Sequence, residues 1–179
     1  MIAVDSTALS LLFVPNASGN TKDGKRIKHA KDRMEYLVER ISKEDGVIII
    51  PTPSLSEIIV RLQPTQIDEL LKRLKTSPWF RVEPFDSVAA VELGVRTAKA
   101  IADGDKREGL TADYAKVKFD RQIVSIAIVA RATQVVSDDG DVAAICERWG
   151  VPVSSVSDLP LPPELIPPPL LAGIEEADE

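Results

Sequence analysis

Carboxylates carry the chemistry that this chain can offer. Asp5 ends the short apolar run Ile2-Ala3-Val4, and Glu57 stands just beyond the β-branched run 47–50. Asp120 heads a long apolar segment, and Asp138, Asp139 and Asp141 follow Gln134-Val135-Val136. Acids gathered in one cleft repel one another, and their pKa values rise unless a cation intervenes. An all-oxygen set suits a hard divalent ion, Mg²⁺ or Mn²⁺, that keeps open water positions. One histidine and one cysteine, His29 and Cys146, cannot build a zinc site.

Whether those acids meet depends on the elements that carry them. Residues 2–4 read as a strand that turns at Asp5 into a short helix. Apolar Met34, Leu37, Val38 and Ile41 recur at helical spacing and predict a helix over 27–42. The unbroken run 47–50 predicts a parallel strand covered on both faces. Two short helices follow, then a strand at 81–85. Asp86 and Ser87 cap a long helix, 88–102, with Val91, Val95, Ala98 and Ala102 on one stripe. A charged loop at 103–111 leads through a helical piece at 112–117 to Asp120 and a helix at 123–132. The strand 134–136, a helix at 142–149 closed by Gly150, and a last strand at 151–153 complete the order. This alternation predicts an α/β fold: a three-layer α/β/α domain around a mostly parallel sheet of about five strands. Loops leaving parallel strands emerge at one edge, where such folds bind ligands. We place the domain at 1–158 and a Pro-rich, acidic tail at 159–179.

Each acid also has an ordinary structural role open to it. Glu57 follows Ser54 at capping-box spacing, and Asp120 could cap the helix after it. Asp139-Gly140 could be a plain turn, with Asp141 capping the next helix.

Taken in order, the segments VDSTAL around Asp5, IIIPTPSLSEII around Glu57, FDRQIVSIA around Asp120 and VVSDDGD around Asp139 resemble the four motifs of PIN-domain nucleases. The toxin subunit of VapBC toxin–antitoxin pairs is the most similar branch, and VEPFDSVAA resembles its third-strand segment. The likeness spans roughly residues 1–158. It implies a PIN-like domain in which Asp5, Glu57, Asp120 and Asp139 hold one or two Mg²⁺ or Mn²⁺ ions and hydrolyse RNA. Ser137 matches a supporting hydroxyl and Asp141 an additional acid, while Asp138 falls at a position the family fills with other polar residues. It further implies an RNA substrate, an antitoxin partner and a homodimer formed through helical faces. A catalytically weak PIN-like RNA-binding or scaffold module is the alternative. Two departures concern substrate and partner: the long stretches 16–33 and 103–111, and Val142 where an aromatic often follows the last acid.

A net charge of −6 argues against a surface given over wholly to nucleic acid, though not against a local basic patch. Lys22, Lys25, Arg26, Lys28, Lys31 and Arg33 form such a patch, read either as the basic half of a helix or as phosphate contacts. No apolar run approaches the roughly 20 residues of a membrane span. The start lacks a basic, signal-like pattern, and the lone Cys146 reads as a core residue, so a cytoplasmic protein is expected. Trp79 and Phe80 read as core packing rather than a platform for bases.

Overall fold

The structure is a computed structural model and describes residues 1–166; most of the expected Pro-rich tail lies outside the described residues. Five strands, β1 (Ile2–Val4), β2 (Ile48–Pro51), β3 (Phe80–Glu83), β4 (Gln134–Val136) and β5 (Val153–Ser154), form one sheet in the order β3-β2-β1-β4-β5. Every pairing is parallel. Successive connections step outward from β1 through β2 to β3, whereas β4 and β5 lie on its other side. The order therefore reverses at the β1–β4 pair, and such a switch point opens a crevice beyond the strand ends.

Side chains alternate across a strand, so this sheet feeds two cores. Val4, Ile48, Ile50 and Val136 face a cluster with Leu9, Met34, Leu37, Ile41, Ile58 and Leu70. These come from α1 (Ser6–Phe13), α2 (Ala30–Lys43), α3 (Thr52–Ile59) and α4 (Pro64–Thr76). Ala3, Ile49 and Val135 face the other way, toward Val117, Val124, Ile145 and Trp149. Those belong to α6 (Tyr114–Val129) and α7 (Gly140–Trp149). All four residues of β2 are buried, as its unbroken apolar run requires.

Local chemistry sets the helix ends. Asp86 caps α5 (Ser87–Ala102) by accepting from the Val88 and Ala89 amides at 3.0 and 2.9 Å. Gly150 closes α7 with φ +70, a backbone state that glycine adopts without a Cβ clash. Phe80 is buried against Phe13, with ring centroids 5.7 Å apart, and Trp79 packs partly against the same cluster. Leu159 is also buried there, and its carbonyl accepts from Arg33.

Four expectations change. First, α6 runs unbroken from Tyr114 to Val129, its N-terminus capped by Asp113, so Asp120 lies mid-helix and caps nothing. Second, α3 begins at Thr52 with no side-chain cap; Ser54 falls inside it, so no capping box with Glu57 forms. Third, the basic stretch is mostly not helical. The Asn20–Arg26 bridge closes a tight turn carrying Lys22 and Lys25, and α2 starts only after His29, whose φ of +58 interrupts the helix. Fourth, the stripe of Val91, Val95, Ala98 and Ala102 on α5 faces solvent. That helix is apolar on several sides and packs on α6 through Ala89 and Ala100, so periodicity alone did not reveal its inner side.

Candidate functional site

β1 and β4 pair with Val4 beside Val136, and continuing this register sets Asp5 beside Ser137. The Asp5 amide donates to the Val136 carbonyl at 3.2 Å, carrying the strand pairing one residue further. Asp5 then caps α1 through the Ala8 amide, 2.9 Å from Oδ1. Its other oxygen accepts from the Ser137 hydroxyl, and the Thr7 hydroxyl donates to both oxygens at 2.7 and 2.9 Å. Ser137 in turn accepts from the Asp139 amide at 3.1 Å, joining the two acidic loops.

Asp139 caps α7, with its Oδ1 accepting from the Asp141 amide at 2.8 Å. Asp139, and not Asp141 as expected, is thus the cap of α7, with Asp141 in its first turn, and capping does not take Asp5 or Asp139 out of the cleft. Asp5, Glu57, Asp120 and Asp139 all line one cleft of about 700 Å³, together with Thr7, Arg61, Lys116, Phe119 and Val142. Glu57 reaches it from α3 and Asp120 from α6. Asp141 stands beside the cleft, and its carboxylate comes within 4.8 Å of those of Asp120 and Asp139. Asp138 points elsewhere: its Oδ1 accepts from Ser155 Oγ at 2.6 Å and the Val156 amide at 2.9 Å, tying the loop to the turn after β5.

Lys116 was not anticipated from the sequence. Its ammonium donates to Asp120 at 2.9 Å, to Asp139 at 3.0 Å and to Asp141 at 2.7 Å. The signal was its spacing, four residues before Asp120, which brings two side chains together only on a continuous helix. Arg121 was missed as well. Fully buried, it holds the 103–111 loop against α6 by donating to Glu108 at 2.6 Å and to the Lys106 carbonyl at 2.9 Å.

The electrostatics follow from burial. Asp5 is pushed up to about 6, chiefly because it is desolvated; hydrogen bonds from Ala8, Ser137 and Thr7 pull the other way. Asp120 is also raised to about 6, again mainly by burial, with Lys116 opposing and Asp139 and Asp141 adding to the rise. Burial works against the Lys116 charge, yet its three carboxylate partners outweigh that and hold it above the usual lysine range. Burial pushes the Cys146 thiol up to about 12, which suits a core residue.

The donor set fits a hard divalent cation: carboxylate oxygens only, two of the carboxylates buried, and a positive charge already drawn among three of them. Asp120, Asp139 and Asp141 have carboxylates close enough to share one ion, and Asp5 and Glu57 line the cleft beside Asp120 and Asp139.

No protein-family description and no curated protein matches the chain. A chain of the crystal structure of VapBC2 from Rickettsia felis, bound to a DNA fragment from their promoter, superposes with a TM-score of 0.53 at 14% identity. The match covers 87% of this chain and 98% of that one. At that identity the likeness speaks for the fold. The all-parallel five-stranded sheet, helices on both faces and an acid-lined crevice at the β1–β4 switch point make this a PIN-like α/β domain.

Proposed function

We propose that this protein is a metal-dependent ribonuclease, the toxin half of a toxin–antitoxin pair. The observation that carries the reading is the convergence of Asp5, Glu57, Asp120 and Asp139 on one cleft at the switch point of the sheet. Two of them, Asp5 and Asp120, are buried and poorly solvated as anions, so a bound cation relieves an existing electrostatic cost. Asp5 and Asp120 are the principal ligands; Glu57 and Asp139 complete the set at the cleft wall. Ser137 and Thr7 hold the Asp5 carboxylate in place, and Asp141 supports the set from beside the cleft. When bound, Mg²⁺ or Mn²⁺ supplies an ionised water and polarises the scissile phosphodiester.

The RNA substrate is consistent with exposed Lys22, Lys25, Arg26 and Lys28, which lie on the turn and loop ahead of α2. The fold neighbour is a complex with its partner protein, which supports an antitoxin for this chain too. A homodimer is supported by α5, whose outer side exposes Val88, Val91, Val95 and Ile101. Among the described residues no helix is long and apolar enough to cross a membrane; a cytoplasmic setting remains a reading of the sequence.

One observation favours the second reading, a catalytically weak RNA-binding or scaffold module: Lys116 already neutralises part of the acid cluster. RNA cleavage with Mg²⁺ or Mn²⁺, with and without EDTA, decides between the two. The nuclease reading expects cleavage that EDTA abolishes and that folded Asp5→Ala lacks. Metal binding and RNA binding without turnover would establish the module instead.

A further inference from the structure

The cation-shaped gap among Asp120, Asp139 and Asp141 is filled by part of the chain itself. Oxygens of the three carboxylates lie within 4.8 Å of one another, the spacing expected of donors around a single ion. The Lys116 ammonium bonds to all three, at 2.7 to 3.0 Å, and so has a carboxylate for each of its three protons. Its side chain is 41% exposed, so it has solvent beside it into which to withdraw. The Asp120 side chain, 7% exposed, has no comparable freedom. A divalent ion taking these oxygens has to displace the ammonium from at least Asp120 and Asp139, both of which line the principal cleft with Asp5 and Glu57.

We propose that Lys116 is a tethered competitor of the metal: it occupies the Asp120–Asp139–Asp141 cluster in the metal-free protein and must vacate it before the cleft can load. The inference rests on reading the cleft as a divalent-cation site. It adds what sets that site's affinity. The competitor is attached four residues before a ligand, so it cannot be diluted away, and loading is weaker than the acid count alone implies. Because Lys116 stabilises the same carboxylates in the metal-free protein, this chain tolerates an empty cleft. A chain lacking the lysine would need the ion to offset the repulsion among its acids.

The test measures Mn²⁺ binding to the full chain by the EPR signal of free Mn²⁺ at near-neutral pH, with no dependence on turnover. Lys116→Met removes the competing charge while keeping the stem, and Lys116→Arg keeps the charge. The expected result is an apparent affinity at least about tenfold tighter for Lys116→Met, with Lys116→Arg close to the parent, and thermal stabilisation by Mn²⁺ that is larger for Lys116→Met. Equal affinities in all three proteins would overturn the role of Lys116 while leaving the metal site standing. No Mn²⁺ binding by any of them would overturn both. Weaker binding by folded Lys116→Met would make the lysine a helper rather than a competitor, and would also overturn the inference.

Discussion

The Ser137 hydroxyl bonds to the Asp5 carboxylate from the neighbouring strand end, linking residues 132 positions apart in the chain. The bond is possible because β1 and β4 pair in parallel with Val4 opposite Val136, so the next residues on both strands leave the sheet side by side. Ser137→Ala would leave Oδ2 of the buried Asp5 carboxylate with only the Thr7 hydroxyl, which it shares with Oδ1. A loss of about 1–3 kcal/mol in stability follows from removing a hydrogen bond to a buried, charged acceptor. Chemical denaturation of parent and variant checks the first effect, and weakened Mn²⁺ binding checks the effect on the site.

Asp5 and Asp120 predict an unusual pH profile for the metal-free protein. Both folded-state values are about 6, above the ordinary aspartate value of 3.8, so between these limits the folded chain binds protons that the unfolded chain has released. Their contribution to stability is fully present below about 3.8 and is lost as pH rises through 6. Melting temperature in EDTA should therefore fall between pH 5 and 7.5 by an amount that Asp5→Asn or Asp120→Asn reduces. Added Mn²⁺ should restore stability at the higher pH. A profile unchanged by either substitution would contradict this.

Arg121 and Glu108 predict a structural effect apart from the cleft. The arginine is fully buried, and among the described residues Glu108 is its one carboxylate partner, at 2.6 Å. Removing one partner of a buried pair costs about 3–5 kcal/mol, because the other charge is left uncompensated. Glu108→Gln should lower the melting temperature and expose residues 103–111 to limited proteolysis. A resistant loop and an unchanged melting temperature would count against the clasp.

The basic turn ahead of α2 gives a binding prediction. Lys25 and Arg26 are exposed, so replacing both with Glu should leave the fold intact. If they contact phosphates, affinity for a single-stranded oligoribonucleotide falls and the slope of log affinity against log salt flattens by about 1 to 2. Fluorescence anisotropy across a salt series measures both; an unchanged slope removes this patch from the RNA path.

For α5, Val91→Glu places a charge in the middle of the exposed apolar side, where Val91 is 66% exposed in the single chain. Light scattering should show a dimer for the parent and a monomer for the variant. A variant that stays dimeric would move the interface off this helix.

Much of this molecule follows from the chain read residue by residue. The β-branched run ending at Ile50, the cap at Asp86 and the order of strands and helices are local matters. Burial pattern, side-chain capping and turn chemistry act within a few residues, so the parallel α/β sheet and the edge where its acids gather could be read in advance. Tertiary structure decided the rest. Whether α6 breaks before Asp120 or runs through it depends on the sheet it packs against, since both readings satisfy the local pattern. Only the continuous helix turns Lys116 onto the side of Asp120 and carries it to Asp139 and Asp141. The outward face of α5 was equally undetermined, because a helix apolar on several sides takes its inner surface from its neighbours. The sequence by itself determined which acids this protein has to offer; the packing of α6 against β2 and the helices around it decided that they would share their cleft with a lysine.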